Sequence, residues 1–388
     1  MPEKVFIRAV QSISALGSGS AEVWNSYKEA QPHFHRQGSD DEPLARSWVS
    51  RLRPETSAQL DRLRQERSQY QQLDPTVLMA MLAAGKAIEK VGGAVKDTGL
   101  NLGSSRGATT LFEKFHQQFI KDRNVSVYSS PTTTLGNISA WTAQYLGLEG
   151  PAIDHSITCS TGLHALVNGI AWIRAGMARR FICGGTEAAL TPFTIAQMKA
   201  LRLYSNSQNS RPCESMRFEK KANTMVLGEA AAVVLLEGQD CTHPIAEIKG
   251  IGFASEPLNS LSSISADAQS LQRSMTTAMQ EAGIREVDAV VMHAPGTVKG
   301  DLAEKEAIDR VFGSHLPLLT SNKWQVGHTF AASGPLSIEM AVMMIANNHF
   351  VENPFYANRR HLPKTLDTVM VNAVGFGGNA VSIIIGKV

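Results

Sequence analysis

The sequence is short of cysteine and of net charge, and each shortage excludes a class of protein. Its 388 residues include four cysteines, and none has the short paired spacing of a zinc site or a redox motif: Cys159, Cys183, Cys213 and Cys241. A reduced, cytosolic chain is therefore expected. The formal net charge is +2, so no broad basic field indicates a nucleic-acid partner.

Long apolar runs are scarce as well. No run approaches the ~18 residues of a transmembrane helix, and we expect no membrane insertion. The segment from Met1 to Arg8 is typical of a first strand and lacks the apolar core of a signal peptide. With 43% hydrophobic and 19% charged residues, the composition is that of a globular protein. These features favour a cytoplasmic protein with a large core.

Short apolar runs alternate with helical patterns along most of the chain. The pattern predicts buried strands at Arg180–Gly185 and Ala230–Leu236, and apolar helices at Pro75–Val91 and Leu163–Ala175. Alternation of this kind is typical of an α/β architecture.

Two segments of the first half resemble two segments of the second half, in the same order. Cys159-Ser-Thr-Gly and Phe330-Ala-Ala-Ser-Gly each open an apolar helix. The apolar strands that follow Gly228 and Gly378 are also alike. We interpret the chain as two copies of one α/β unit.

The join between the two copies is predicted near Gly238–Pro244. The predicted units are residues 1–240, which carry the candidate nucleophile, and residues 241–388. A charged, weakly apolar stretch at about residues 30–75 interrupts the first unit. We interpret this stretch as a cap insertion made of surface helices.

Cys159 is the one cysteine placed between a predicted strand, Ile153–Cys159, and a predicted helix. At a helix N-terminus a thiol is exposed to the positive end of the helix dipole and to free N–H groups, so we expect its pKa to be lowered. A lowered pKa makes Cys159 a candidate nucleophile. The alternative is a buried structural cysteine, which is common among free cysteines.

Three further stretches carry side chains suited to chemistry. His293 ends an apolar strand before a Pro-Gly turn, and open α/β sheets bind ligands at such strand ends. Lys323 and His328 precede a helix whose first turn consists of small residues, which permit a close approach to the backbone. The turn Val374-Gly-Phe-Gly-Gly-Asn offers N–H donors for an oxyanion. Taken singly, these are equally well explained as a loop histidine, a solvated lysine and a tight turn.

In combination these motifs resemble one family. Their order is Thr-Cys-Ser-Thr-Gly, His followed by Gly-Asp-x-x-Glu, Lys-x-x-x-x-His and Gly-Phe-Gly-Gly, which is similar to elongating β-ketoacyl-ACP synthases of the thiolase superfamily. The resemblance runs from Ser14-Ala-Leu-Gly to Gly375-Phe-Gly-Gly, nearly the whole chain. It implies a thiolase-like duplicated fold of five layers, αβαβα, which agrees with the internal repeat.

The resemblance implies a catalytic site made of Cys159, His293 and His328. Lys323 would orient His328 and pair with Glu304. The two imidazoles would be neutral, and each would donate an N–H to the enolate oxygen of the second substrate.

Further roles are implied for two residues beside this site. Thr297 would contact the phosphopantetheine arm, and Phe376 would gate the site. The backbone N–H groups of Cys159 and Phe376 would hold the oxyanion. No metal and no resident cofactor are expected, because the phosphopantetheine arrives on the acyl carrier protein.

The implied reaction is a decarboxylative Claisen condensation. An acyl group held on Cys159 would be joined to malonyl-ACP, which extends a fatty-acid, polyketide or aryl-polyene chain by two carbons. The implied partners are an acidic acyl carrier protein and a second subunit, identical or ketosynthase-like, packed around residues 105–160. Arg62, Arg64 and Arg67 are candidate docking residues for the carrier protein. A solvated helix face explains these arginines nearly as well.

The chain departs from the usual pattern after His293, where Ala294-Pro295 replaces Gly-Thr. The change removes one pantetheine-contacting threonine and stiffens the turn. The segment Lys-Trp-x-x-Gly-His-Thr-Phe-Ala-Ala-Ser-Gly is similar to ketosynthases of bacterial aryl-polyene pathways. The alternatives are a chain-length-factor-like partner subunit and a thiolase-fold enzyme acting on CoA esters. Cys159 together with both histidines favours the condensing enzyme.

Overall fold

A computed structural model describes residues 3–37, 47–93, 96–257, 264–358 and 362–388. The strands are β1 (Val5–Ile13), β2 (His35–Gln37), β3 (Ser47–Ser50), β4 (Gly99–Gly103), β5 (Ala152–His155), β6 (Arg180–Glu187), β7 (Leu227–Gly228), β8 (Ala230–Glu237), β9 (Ala246–Ala254), β10 (Ala289–Val291), β11 (Leu318–Thr320), β12 (Thr368–Val374) and β13 (Ala380–Gly386). The helices are α1 (Ser20–Glu29), α2 (Pro54–Glu66), α3 (Pro75–Glu89), α4 (Thr109–Asp122), α5 (Ser129–Thr133), α6 (Asn137–Leu146), α7 (Thr161–Arg174), α8 (Pro192–Ala200), α9 (Gln269–Ala282), α10 (Val298–Phe312), α11 (Lys323–Val326) and α12 (Ser333–Asn347).

The central sheet is built twice from the same strand order. One half reads β5-β4-β6-β8-β1 and the other reads β11-β10-β12-β13-β9. In each half the first three strands are parallel and the last two pairings are antiparallel. A short antiparallel pairing of β1 with β9 joins the halves. The predicted internal repeat is therefore confirmed, with β8 and β13 as equivalent strands.

Helices lie on both faces of each half-sheet. α7 packs on β4 and β6, α12 packs on β12 and β8, and the two helices contact each other. α3 covers β1 and β8 from the opposite side, and α9 covers β9 and β13. The five-layer αβαβα arrangement is therefore confirmed. The division of the chain at residues 240 and 241 stays a prediction.

α12 is buried on all sides because sheets cover both of its faces. The segment Phe330–Asn347, which includes it, has 18 residues and a mean hydropathy of 1.2, and 89% of it is buried. The expectation that no apolar run reaches membrane-spanning length is therefore wrong for this segment. Its burial is that of a helix in the core of a globular protein.

The predicted cap insertion falls partly outside the described residues, because residues 38–46 are not among them. The rest of it contains β3 and α2. β3 lies between β2 and β7 in a small three-stranded sheet. On α2 only Thr56 and Leu63 are buried, as expected for a surface helix.

Candidate active site

Cys159 lies in a sharp bend between β5 and α7. The predicted strand Ile153–Cys159 is wrong at its end, because β5 stops at His155. Thr158 then takes a left-handed conformation with φ of 47°, which is uncommon for a residue other than glycine. The hydroxyl of Thr161 accepts a hydrogen bond from the N–H of Ile157 at 2.8 Å and closes the bend. The bend places Cys159 at the start of the helix.

Cys159 is buried, with only 7% of the residue exposed. Burial, with a further contribution from the negative charge of Glu187, raises its pKa to about 12. Lys323 and the N–H groups of Cys159 and Phe376 oppose this shift. The expectation of a lowered pKa is therefore wrong, because the cost of burying a thiolate exceeds the help from the helix N-terminus. Burial therefore favours the protonated thiol of Cys159 over the thiolate.

The glycine-rich turn after β12 packs directly against this bend. A Cβ on Gly375 would lie 2.0 Å from the Thr158 hydroxyl oxygen and 3.1 Å from the Cys159 nitrogen. The Thr158 hydroxyl donates to the carbonyl of Phe376 at 3.1 Å. Only glycine at position 375 permits this approach. The predicted donors, the N–H groups of Cys159 and Phe376, both interact with the Cys159 sulfur.

A second bend of the same kind lies at the start of α12. Phe330 also has a φ of 47°, and it precedes Gly334 by four residues, as Thr158 precedes Gly162. We call Thr158–Cys159 the first elbow and Phe330–Ala331 the second elbow. The two touch, because a Cβ on Gly162 would lie 2.3 Å from the carbonyl oxygen of Ala331. In the repeat, Ala331 occupies the place of Cys159.

The two predicted histidines lie side by side. The ring centroids of His293 and His328 are 5.2 Å apart at an interplanar angle of 84°, and both residues are buried. The N–H of Phe330 donates to Nδ1 of His328 at 3.0 Å, so the ring proton of His328 lies on Nε2. Nδ1 of His293 is buried without a hydrogen-bond partner among the described residues.

Both imidazoles are neutral. Burial, and then the charge of Lys323, lowers the pKa of His328 to about 3. Burial, Lys323 and His328 lower the pKa of His293 well below its usual value. Each ring can therefore offer an N–H without a full charge, and its role as a donor to substrate stays a prediction.

Glu304 binds the backbone and does not form the predicted ion pair. Its carboxylate accepts from the N–H of His293 at 2.9 Å and of Ala294 at 2.8 Å, and from the side chain of Asn372 at 3.2 Å. Among the described residues, Lys323 has no carboxylate within 4.0 Å. The charges still interact at longer range: burial lowers the pKa of Lys323, and Glu304 opposes this shift. Glu304 thus fixes the backbone that carries His293.

The turn with the unusual Ala294-Pro295 pair leads into α10. Ala294 has a φ of 26°, a strained value for a residue with a side chain. Thr297 is buried, and its hydroxyl caps the helix by accepting from the N–H of Gly300 at 3.2 Å. The hydroxyl hydrogen of Thr297 is thus available for an acceptor on a bound ligand.

The arginines proposed for carrier-protein docking lie on α2 and just after it. Arg64 is 3.8 Å from Asp61, and the guanidinium of Arg67 lies 5.6 Å from the ring centroid of Tyr70. Arg62 is exposed. Local contacts of this kind also occur on an ordinary solvated face, so a docking role stays a prediction.

Two buried acidic groups beside the site are not predicted by the sequence. Glu187 ends β6 and accepts four hydrogen bonds, three from residues 104–106 and one from Ala331 of the second elbow. Asp301 forms a buried ion pair with Lys220 at 2.7 Å. Asp301 belongs to the quoted Gly-Asp-x-x-Glu motif, which was one available signal. Neither Lys220 nor Glu187 lies in a pattern that indicates its partner. Among the described residues, no three His, Cys, Asp or Glu side chains are grouped to hold a metal ion.

The reactive groups all follow the C-terminal ends of strands. Cys159 follows β5, His293 follows β10, Lys323 and His328 follow β11, and the glycine-rich turn follows β12. These ends meet at one place, because Cys159 shares an apolar cluster with Phe330, Phe330 lies beside His328, and the charge of Lys323 acts on Cys159 and on both histidines. The arrangement combines a thiol, two N–H donors at its sulfur and two neutral imidazoles. It is suited to acyl transfer followed by stabilisation of an enolate.

The sequence matches two families that together span most of the chain. Residues 7–240 match the family described as "Beta-ketoacyl synthase, N-terminal domain", and residues 245–355 match "Beta-ketoacyl synthase, C-terminal domain". A 3-oxoacyl-(acyl-carrier-protein) synthase 2 of Coxiella burnetii (strain RSA 493 / Nine Mile phase I) is 27% identical in an alignment that covers 99% of each chain. The tetracenomycin polyketide synthase ketoacyl synthase alpha subunit of Streptomyces glaucescens is 27% identical over 72% of each chain.

Solved structures agree with the fold. A type II PKS acyl-carrier protein complexed with its ketosynthase, AntDE:AntF, includes a chain that matches with a TM-score of 0.87 and 19% identity over 100% of both chains. The ketosynthase ApeO in complex with its chain length factor ApeC, from Xenorhabdus doucetiae, gives a TM-score of 0.82 and 20% identity, over 100% of this chain and 98% of that one. At these identities the likeness establishes the fold.

Proposed function

Since the chain belongs to the beta-ketoacyl synthase family, we propose that it joins an acyl group held on Cys159 to malonyl-ACP by decarboxylative Claisen condensation. The observation that carries the proposal is the grouping of Cys159 with two oxyanion donors and with the neutral rings of His293 and His328. The product is a β-ketoacyl-ACP that is two carbons longer than the acyl group.

The first step is acyl transfer to the thiol. Sγ of Cys159 attacks the thioester carbonyl of acyl-ACP, and the bond from that carbon to the pantetheine sulfur breaks. The thiol proton of Cys159 leaves with the pantetheine as its new thiol. The N–H groups of Cys159 and Phe376 hold the oxyanion, and one such donor typically lowers the barrier by roughly 3–4 kcal/mol.

The second step is decarboxylation of malonyl-ACP. The bond to the carboxylate carbon breaks, carbon dioxide leaves, and the electron pair stays on the thioester as an enolate. The Nε2–H of His328 donates to the enolate oxygen, and His293 supplies the second donor. Lys323 supports this step because its charge keeps His328 neutral.

The third step forms the carbon–carbon bond. The enolate carbon attacks the acyl carbonyl on Cys159, and the carbon–sulfur bond breaks. The departing thiolate takes up one proton from solvent and restores the thiol. Thr297 and Phe376 would act on the pantetheine arm and on access to Cys159. No resident cofactor or metal enters the proposal.

Two partners belong to the proposal, an acyl carrier protein and a second subunit. β5 ends the sheet at one edge and is contacted by α6, and exposed apolar side chains lie on α4 and in the segment between α4 and α6. These side chains are Phe112, Phe119, Ile120, Val125, Val127, Tyr128 and Leu135. We call them the α4 face. It lies within the predicted dimer region, residues 105–160, and supports a second subunit there, identical or ketosynthase-like. Action in the cytoplasm and in an aryl-polyene pathway stay predictions.

The proposed function is tested by measuring acyl transfer to Cys159 and then the release of carbon dioxide. The protein is incubated with acyl-ACP, and a mass increase on the Cys159 peptide is sought. Malonyl-ACP is then added, and carbon dioxide is measured. Cys159→Ala should abolish the adduct, whereas Cys241→Ser, which changes a partly exposed thiol away from the site, should retain it. Replacing His293 or His328 by Ala should reduce decarboxylation more than acyl transfer.

The same experiment separates the alternatives. If neither the adduct nor carbon dioxide appears, with a candidate partner subunit supplied, the condensing function is wrong and a chain-length-factor-like role is favoured. If acyl-CoA acylates Cys159 while acyl-ACP does not, the thiolase-fold alternative is favoured. Acyl-ACPs of different length, saturation and aromatic character would show which chain the site accepts.

A further inference from the structure

Glu187 is a fully buried carboxylate that no step above uses. It ends β6, and its two oxygens accept from the Ser104 hydroxyl at 2.8 Å and from the N–H groups of Ser105 at 2.9 Å, Arg106 at 3.2 Å and Ala331 at 3.3 Å. A carboxylate is costly to bury unless donors surround it. Four donors from two separate parts of the chain therefore depend on this one group.

One set of these contacts leads to the first elbow. Ser105, whose N–H binds Glu187, donates its hydroxyl to the carbonyl of Thr158 at 2.7 Å. Thr158 is the left-handed residue directly before Cys159, and its own hydroxyl holds the carbonyl of Phe376. Ser105 thus connects Glu187 to the peptide that sets the direction of the Cys159 thiol.

The other contact leads to the second elbow. The N–H of Ala331 binds Glu187, and Ala331 directly follows the left-handed Phe330. The N–H of Phe330 binds Nδ1 of His328 and keeps the proton of that ring on Nε2. β6 also touches this elbow, because a Cβ on Gly185 would lie 2.2 Å from the carbonyl oxygen of Ala331.

We propose that Glu187 is a positioning residue that holds the two elbows in register, so that the Cys159 sulfur and the Nε2–H of His328 face the same substrate. The proposal rests on the condensing function given above. Each elbow contains a strained residue, and strain of this kind persists only where surrounding contacts fix it. Glu187 binds the N–H of Ser105, which supports the first elbow, and the N–H of Ala331 in the second elbow. Its charge also acts on the thiol, because it helps to raise the pKa of Cys159.

Glu187→Gln tests the charge and the acceptors together. The amide has the same shape but places an NH₂ group against backbone N–H donors. We expect the rates of adduct formation and of carbon dioxide release from pre-acylated protein to fall at least tenfold each. We also expect iodoacetamide to label Cys159 at least threefold faster at pH 8.5. Burial raises the pKa of Glu187 to about 7, so its negative charge is present at that pH in the unchanged protein.

Glu339→Gln is the matched control. Glu339 is equally buried and accepts from the N–H of Ser12 at 3.0 Å, but it contacts neither elbow in the described residues. It should lower the melting temperature and leave the labelling rate of Cys159 unchanged. If Glu187→Gln behaves in the same way, Glu187 has only a structural role and the proposal is wrong.

Ser105→Ala separates the two elbows and removes only one hydroxyl. It should slow adduct formation at least fivefold and leave carbon dioxide release from pre-acylated protein within twofold of the unchanged protein. Equal loss in both steps, or in neither, would overturn the proposal even where Glu187→Gln does not fold. If the unchanged protein forms no adduct and releases no carbon dioxide, the condensing function fails instead.

Discussion

Two opposing influences act on the pKa of the Cys159 thiol. The N-terminus of α7 and the nearby N–H groups favour the thiolate, and the closed, apolar surroundings favour the thiol. Burial is the larger effect, and Glu187 adds to it. The balance of these influences therefore favours the neutral thiol over the thiolate.

The pH dependence of labelling at Cys159 follows from this raised pKa. Only the thiolate reacts with iodoacetamide, and a pKa of about 12 leaves it a small fraction at neutral pH. The labelling rate should therefore rise about tenfold per pH unit from pH 7 to pH 10, with no plateau near 9. Mass spectrometry of the Cys159 peptide measures the rate, and Cys241→Ser removes the partly exposed competing thiol. A plateau below pH 9 would show that the thiol is activated in the resting protein.

The sequence identifies which residues form the site but not how they are held. The motif order predicts that Cys159, His293 and His328 meet, because a family pattern preserves the order of reactive groups. The proton position on His328 depends on the N–H of Phe330 in a left-handed conformation, and no residue pattern encodes that contact. Glu304 binds the backbone at His293 and does not pair with Lys323. This choice likewise depends on where folding places the turn after β10.

At the scale of elements, the irregular segment between Ser215 and Thr224 fixes the turn after β10. Ser215 donates to the carbonyl of Ala294 at 2.6 Å, and the N–H of Thr224 donates to the carbonyl of Gly296 at 2.8 Å. Lys220 and Asp301 join the same two segments through their ion pair, and both side chains are at most 2% exposed. The segment containing Ser215, Lys220 and Thr224 therefore clamps the turn that carries Thr297.

Lys220→Met tests this clamp. It leaves the carboxylate of Asp301 buried without its cation, which typically destabilises a protein by about 3–5 kcal/mol. Denaturant unfolding should show that loss, and the KM for the carrier substrates should rise as the turn around Thr297 loosens. Adding Asp301→Asn to Lys220→Met removes the stranded charge and should restore part of the free energy of unfolding. An unchanged free energy of unfolding for Lys220→Met would contradict the clamp.

Regular elements were predicted well because each shows its own periodicity. The strand of Ala230–Leu236 and the helix of Pro75–Val91 correspond to β8 and α3. The prediction failed at the end of β5, where Ile153–Cys159 has the apolar residues of a strand but the chain must turn into α7. The elbow depends on contacts with the distant Gly375, which a local pattern does not contain.

At the scale of the whole molecule, the α4 face contains seven of the fifteen large apolar side chains that are exposed among the described residues. Val127 is 85% exposed and Phe112 is 63% exposed. Apolar groups in such numbers are typical of an interface between subunits. The face adjoins the first elbow through the segment of Ser105, so a second subunit there would lie beside the site.

Val127→Asp tests the assembly. The side chain packs against little within one subunit, so folding should be unaffected, whereas a buried charge in an interface is strongly unfavourable. Light scattering of the purified assembly should show a fall from two subunits toward one. Met177→Asp is the control, because Met177 is also exposed, at 64%, but lies at the other end of α7. Equal masses for both variants would show that the α4 face is not the interface.

The layer formed by α7 and α12, which contact each other at the centre of the fold, has a consequence for synthesis on the ribosome. α7 is made long before α12, and at ~5–20 residues per second the interval is roughly 10–35 seconds. During that time the face of α7 that later contacts α12 has no cover. α12 itself then emerges with the hydropathy of a membrane-spanning helix, before β12 and β13 exist to cover it. Until its last two strands are made, the newborn chain therefore exposes apolar surface in this layer, and such surface promotes aggregation.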